Sequence, residues 1–289
     1  MCKIVPPSEW LPRRIPYNIN DMDFSIKTPT EQVFKQKSNG VYKLKNQIID
    51  KLSLVQFKDM TYLKKYKPPK FSSFEEIESL YWEEISNKNA VHPIYAADIQ
   101  MTLMDFNLKY WNLNSLNSIL DLVDKEYWID IDGLWYVIPP SYGKQFESLL
   151  KKLYPKEFEE CSSFMRHKTI MVHHSILKKH GIPYNTVLQE AGDIIITFPF
   201  AYHCGFNLGF NAAESTNFAT ERWIEYGKRT KFCKCFVDTV KISMQIFVQR
   251  FQPDKYEAWL SGKDYGSHPE EPDVICPANK ATINIYVNK

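Results

Sequence analysis

Glycine is scarce, with 10 residues in 289. No Walker-type or dinucleotide fingerprint exists in this chain, because loops that cradle phosphates need several glycines at fixed spacing. Ser/His/Asp hydrolysis is equally unsupported, since no nucleophile elbow is found. Six cysteines are too few for a disulfide scaffold at this length, and in a reducing compartment a clustered subset more often binds metal. Excess charge is missing too: the net charge is +2, and no sequence-specific nucleic-acid binding is evident. The basic runs Lys64-Lys65-Tyr66-Lys67 and Lys228-Arg229-Thr230-Lys231 read as solvated faces. No apolar stretch approaches a membrane span, and Met1-Cys2-Lys3-Ile4-Val5-Pro6-Pro7 lacks a signal-peptide core. An intracellular protein with no membrane partner is expected.

What is present is a chain with 44% hydrophobic and 24% charged residues, ordinary for a globular protein. The first seventy residues are rich in proline and basic side chains and read as an extended arm, with one helix-like stretch near Val41 to Leu54. Ser73-Phe74-Glu75-Glu76 supplies a capping box for a helix with Phe74, Ile77, Leu80, Tyr81 and Ile85 on one face. A second amphipathic helix is expected from about Leu113 to Val123. Strand patterns follow at Leu134 to Ile138, Thr169 to Val172 and Asp193 to Phe200, with a helix near Lys144 to Leu153 and a stop at Lys178-Lys179-His180-Gly181. The last third returns to helix at Arg222 to Lys228 and Thr239 to Phe251, then a Pro253-started turn ended by Gly262.

His203 is the residue that points to chemistry. It follows the apolar run Asp193 to Phe200 and leads into Gly205-Phe206-Asn207, the placement of a metal ligand at a strand end. Non-heme iron oxygenases hold Fe(II) with two histidines and one carboxylate, so a His-x-Asp/Glu pair should precede it. None does: His92, His167, His173, His174 and His180 all lack an acid two residues on. Only His268-Pro269-Glu270 matches by letter, and it lies after His203 in the proline-containing run Gly266 to Pro272, which reads as loop. A lone strand-end histidine is also commonly a hydrogen-bonded core residue. His173-His174 would point to opposite faces if both lay on a strand, and reads as a surface or strand-end pair. Cys161, His167, Cys233 and Cys235 offer three thiolates and one imidazole, a closed set suited to structural Zn(II). Neither pair has zinc-finger spacing, so buried free cysteines remain open as an alternative.

Several segments together resemble the jumonji histone lysine demethylases that combine a JmjN arm with a JmjC barrel. They are Val5-Pro6-Pro7-Ser8-Glu9-Trp10-Leu11-Pro12-Arg13, Pro93 to Ile99, Trp111-Asn112-Leu113, Trp135 to Pro140, Phe164-Met165-Arg166-His167-Lys168, Gln189 through Ala219, Arg222 to Lys228 and Val240 to Met244. The resemblance implies a mixed α+β fold: a double-stranded β-helix of the jelly-roll or cupin kind, incomplete here, with an N-terminal arm and a helical C-terminal cover. It divides the chain into a partial JmjN-like arm (1–45), a linker and helical region (46–92), a JmjC-like core (93–220, gapped at 133/134) and a zinc-tied helical region (221–289). It also implies Fe(II) and 2-oxoglutarate as cofactors, a histone H3 tail in chromatin as partner, lysine-nine or lysine-thirty-six methyl marks as substrate, and the nucleus as location. By motif, His203 resembles the distal iron ligand, and Cys161, His167, Cys233 and Cys235 the zinc ligands. Trp135 would line the co-substrate pocket, Lys168 the oxygen side, and Ser215, Thr216 and Asn217 the methyl-lysine pocket.

The chain departs from that pattern in one place. Between the segment like Trp128-Ile129-Asp130-Ile131-Asp132-Gly133 and the one like Trp135-Tyr136-Val137-Ile138, the family carries roughly three dozen further residues; here Gly133 joins Leu134 directly. The absent block is where the family keeps its His-x-Glu iron ligands and the side chains gripping 2-oxoglutarate. An inactive chain is therefore expected, with an opened barrel edge. The alternatives are a zinc-stabilised pseudoenzyme that binds chromatin or partners, and a fragment from a mis-assembled gene.

Overall fold

Two runs of alternating residues meet at Asn39-Gly40, and the computed structural model folds them into the longest hairpin of the molecule. The structure describes residues 1–87, 89–97, 99, 101–123, 128–130 (backbone only), 133–235 and 241–279. In chain order the elements are β1 (Cys2–Ile4), β2 (Ser25–Ile26), β3 (Thr30–Ser38), β4 (Val41–Ile48), β5 (Leu52–Ser53), α1 (Leu54–Met60), α2 (Phe74–Ser86) and β6 (Ile94–Tyr95). There follow β7 (Trp128–Asp130), β8 (Gly133–Val137), α3 (Gly143–Leu153), α4 (Pro155–Glu160), β9 (Ile170–Val172), α5 (His174–Lys179), β10 (Asn185–Leu188), β11 (Ile194–Ile196), β12 (His203–Asn207) and β13 (Ala213–Ser215). The chain then turns mainly helical in α6 (Trp223–Arg229), α7 (Gln245–Phe251) and α8 (Tyr256–Leu260), before the hairpin β14 (Tyr265–His268) and β15 (Glu271–Pro277).

All pairings are antiparallel. A four-stranded sheet runs β6-β3-β4-β9 and a three-stranded sheet β10-β8-β12, with the smaller pairs β1-β11, β2-β5, β13-β7 and β14-β15. No closed barrel forms among the described residues, which agrees with the incomplete jelly roll expected. The core between the two larger sheets holds Tyr42, Trp82, Leu134, Tyr136 and Phe206, capped by the buried side of α2. Each large side chain buried there contributes roughly 2–3 kcal/mol. A second cluster packs α3 under Val41, Ile138 and Val172, and a third joins α6, α7 and α8 around Phe247 and Trp259. No described helix is long and apolar enough to cross a membrane.

The expected helix near Val41 to Leu54 is instead strand β4, paired with β3 over eight positions. Gly40 at φ +72° takes the left-handed turn conformation that an Asn-Gly pair favours, and Tyr42 and Leu44 alternate with the exposed Lys43 and Lys45 at a strand period. The helix begins only at Leu54, where Ser53 and Gln56 form a reciprocal cap. The cap at Ser73 is present: its hydroxyl accepts from Glu76 N, while the Glu76 carboxylate turns back to Ser72. Of the expected α2 stripe, Ile77 and Ile85 are buried; Trp82, absent from that reading, is the largest buried side chain of the helix.

Leu113 to Val123 does not form a helix; one 3₁₀ turn (Ile119–Leu122) is all that appears. Asn112 and Asn114 spend their side chains on nearby backbone and on the Thr102 hydroxyl, and Asn117 sits at φ +53°, so the helix does not start before Ser118, whose hydroxyl caps the 3₁₀ turn. The strand expected from Asp193 to Phe200 stops at Ile196, before Pro199. Gly266 to Pro272, expected as loop, is the turn and flanks of the β14-β15 hairpin, with Pro269 in the turn where no ladder donor is needed. The helix expected from Thr239 is seen from Gln245; residues 239 and 240 lie outside the described residues.

Candidate functional site: a histidine face and a cysteine cluster

His203 opens strand β12 rather than ending the preceding strand. Register sets its surroundings. His203 lies opposite Val137 and Gly205 opposite Trp135, so His203, Gly205 and Trp135 share one face of the sheet. Cys204, Phe206, Leu134 and Tyr136 face the opposite way, into the core under α2. Gly205 fits because its Cα approaches the Leu134 carbonyl of the neighbouring strand too closely for a Cβ. The His203 and Trp135 rings are 5.9 Å apart, edge to face. Beside them is a cavity of about 140 Å³ lined by Gln32, Tyr95, Gly133, Trp135, Gly205 and Asn207.

His203 is exposed, and its Nδ1 lies 3.0 Å from the Ala201 carbonyl oxygen. A carbonyl only accepts, so Nδ1 carries the proton and Nε2 presents its lone pair outward. This is how proteins commonly orient a histidine for metal binding. Trp135 is held in turn: its indole N–H donates to Gln189 Oε1 at 2.9 Å, and the Gln189 amide donates to the Asp193 carbonyl. Gln189 and the cavity residues Gln32 and Tyr95 were not singled out from sequence. Gln189 and Tyr95 sit inside matched segments, but nothing in their spacing marks a role.

The remaining expected residues scatter. Lys168 is exposed, in the left-handed conformation that ends the 3₁₀ turn carrying His167. Ser215 ends β13, opposite Trp128. The Thr216 hydroxyl is buried with no hydrogen-bond partner among the described residues, and Asn217 is exposed. Glu214 anchors this segment by accepting from the Thr102 hydroxyl at 2.9 Å and from Leu103 N at 2.6 Å.

The second constellation is brought together completely. Cys161, His167, Cys233 and Cys235 place one ligand atom each within 4.8 Å of one another. Cys161 leaves α4, His167 ends a 3₁₀ turn, and the two later cysteines follow α6, so seventy residues of chain close on one point. The Cys161 and Cys233 sulfurs are 3.9 Å apart, against about 3.8 Å for the edge of a tetrahedron with Zn–S bonds of ~2.3 Å. His167 Nε2 is 3.1 Å from Cys233 Sγ. Burial opposes ionisation of Cys233, but the Cys235 N–H, His167 and the neighbouring thiols outweigh it and lower its pKa to about 7. The same crowding, through Cys161 and Cys233, pushes Cys235 up to about 11. Three thiols that compete for charge in this way are the donor set a divalent soft-to-borderline cation would ionise together.

Iron is a different matter. Among the described residues, the cysteine cluster is the one group of three or more His, Cys, Asp or Glu side chains within metal reach, and His203 is not in it. A single imidazole does not make the two-histidine, one-carboxylate face that Fe(II) oxygenases use. The residues present do not fit that ion. His268-Pro269-Glu270 does not supply the pair either: Glu270 N donates to His268 Nδ1 within the hairpin turn, and the Glu270 carboxylate accepts from Tyr226.

Comparison with known proteins agrees with the architecture. Residues 129–218 match the JmjC domain family, described as a hydroxylase domain. The chain is 38% identical over 300 residues to lysine-specific demethylase 4B of Mus musculus, covering 91% of this chain and 27% of that protein. It is 35% identical to lysine-specific demethylase 4D of Rattus norvegicus and to probable lysine-specific demethylase 4F of Homo sapiens, each over 91% of this chain and over 58% and 46% of those proteins. The chain thus spans less than two thirds of each relative's length. With a JmjC match that includes the His203 strand and relatives aligned over nine tenths of its residues, this chain belongs to the JmjC-domain proteins related to the lysine-specific demethylases.

Proposed function

We propose that this fold serves the oxidative removal of N-methyl groups from lysine in the histone H3 tail, of the lysine-nine or lysine-thirty-six kind, in the nucleus. His203 carries the reading: its Nδ1 proton is pinned by Ala201 and its Nε2 stands free beside Trp135, in a chain aligned to demethylases over 91% of its residues. In this reading His203 is an iron ligand, Trp135 borders the 2-oxoglutarate pocket, Lys168 lies on the oxygen side, and Ser215, Thr216 and Asn217 line the methyl-lysine pocket. Zn(II) on Cys161, His167, Cys233 and Cys235 ties the chain after α6 to the segment after α4.

The chain as it stands does not complete the reaction. Fe(II) and 2-oxoglutarate supply the oxidising chemistry in the family, and the side chains that would hold both belong to a block absent between Gly133 and Leu134. The alignment supports the gap: it runs over 300 positions while this chain contributes 91% of 289 residues, a surplus of about three dozen positions on the relatives' side. The second reading, a zinc-stabilised binding module, draws on the same observation.

A direct test compares two proteins with a trimethyl-lysine H3 peptide, Fe(II) and 2-oxoglutarate. The present chain is expected to release no formaldehyde above background. A version with a relative's intervening residues restored after Gly133 is expected to release it. Release by the present chain contradicts its inactivity; a folded, silent restored chain contradicts the demethylase reading.

A further inference from the structure

His173 and His174 are adjacent in sequence, and their ring centroids are 4.1 Å apart. The pair sits just past a strand end, where β9 stops at Val172 and helix α5 begins at His174. His173 is the N-cap of that helix: Ser175 N donates to its Nδ1 at 3.0 Å, so Nδ1 is unprotonated and the ring proton sits on Nε2. The Nδ1 of His174 is 2.7 Å from the Tyr184 hydroxyl. Trp82 of α2 lies edge-on to His173 at 4.5 Å. Its indole donates to the Tyr136 hydroxyl, which donates to Glu78 of α2. From the hairpin, the Gly40 carbonyl accepts from His173 N at 2.8 Å, and a Cβ at Gly40 would sit 3.2 Å from His173 Cβ. The pair therefore joins α2, the β3-β4 hairpin, β8 and α5.

We propose that the His173–His174 pair is an acid-operated latch: protonation of the two rings uncaps α5 and releases α2 and the hairpin from the sheet that carries His203 on its other face. Protonating Nδ1 of His173 takes the cap's acceptor away from Ser175 N and leaves the new N–H only the Ser175 hydroxyl, 2.8 Å away, as an acceptor. It also sets a cation at a helix N-terminus, where the dipole disfavours it. A second cation on His174, with the rings almost in contact, adds like-charge repulsion. The charged and titratable groups facing the pair are Glu78 from α2, Tyr136 from β8, Tyr184, and Lys178 from α5. Glu78 alone favours the charged rings, and its carboxylate also accepts from Tyr136.

Burial first, then the neighbouring His174 and Lys178, lower the pKa of His173 to about 4 against the opposing Glu78; burial also lowers that of His174. With folded values below the unfolded 6.5, the stabilisation is complete above pH 6.5 and is lost as pH falls from there toward 4. The inference does not depend on the chain's catalytic state.

Segment-resolved hydrogen exchange of the zinc-loaded protein between pH 7 and 4.5, corrected for intrinsic exchange, tests it. Exchange in 74–86, 30–48 and 174–179 is expected to rise roughly tenfold or more, ahead of the segments around Cys161 and Cys233. In His173→Asn/His174→Gln, which keeps a cap without a titrating ring, the rise should vanish. An equal rise in that variant, or opening that begins at the cysteine cluster, overturns the proposal. If the variant does not fold, NMR titration of the two rings in the unaltered protein decides: values near 6.5 overturn it, and values well below support it.

Discussion

Cys233→Ser is expected to abolish stoichiometric zinc binding and to cost about 3–5 kcal/mol or more of stability, since binding energy of a structural zinc is folding energy. Cys233 is the buried centre of the cluster, against both the Cys161 sulfur and His167 Nε2. Few other bonds join these two loops: Ser163 Oγ donates to the Phe232 carbonyl, and Arg166 meets the Thr230 hydroxyl. Without the metal, three thiols and an imidazole would be packed together with no counter-charge. The loss should appear as an earlier urea transition and as proteolytic cutting between α6 and α7. Zinc retained at one per chain, with stability within about 1 kcal/mol of the unaltered protein, would contradict the site.

Lys228→Ala is expected to destabilise the chain by about 3–5 kcal/mol, through a different mechanism: it strands a buried carboxylate. Lys228 is fully buried, and its ammonium reaches Asp264 at 2.5 Å, Gln252 at 2.8 Å and Glu225 at 3.0 Å. Glu225 keeps Arg229 as a partner, but Asp264, itself buried, has no other cation among the described residues. Lys228→Met combined with Asp264→Asn should therefore cost less than Lys228→Ala alone, although it changes more atoms. Urea unfolding of the three proteins measures this. A single substitution costing less than about 1 kcal/mol would show that the pair contributes little.

Lys228 also shows where sequence reading stops. In the string Lys228-Arg229-Thr230-Lys231 nothing distinguishes a solvated lysine from one enclosed by Glu225, Gln252 and Asp264, because these partners lie up to thirty-six positions away. The Asn39-Gly40 turn is a legible hairpin signal, but the lysines and apolar residues that follow it also fit a helix face. The helix expected from about Leu113 to Val123 fails for the opposite reason: its apolar period is present, but Asn112 and Asn114 bond nearby backbone and the Thr102 hydroxyl. By contrast, α3, β8 and the caps at Ser73 and Gly181 followed from local pattern alone. At the site, the four candidate metal ligands are nameable by residue type, yet only folding across about seventy residues brings them together. His203 was nameable too, but its orientation depends on the Ala201 carbonyl, which no sequence pattern announces.

On the proposed reading, this chain holds zinc at its cysteine–histidine cluster and keeps one imidazole of an iron site, with no other group of ligands within metal reach among the described residues. Metal content after anaerobic loading with Fe(II) and 2-oxoglutarate tests this most directly. One zinc per chain and no retained iron is the predicted result. One iron per chain that survives desalting and disappears in His203→Ala would contradict it.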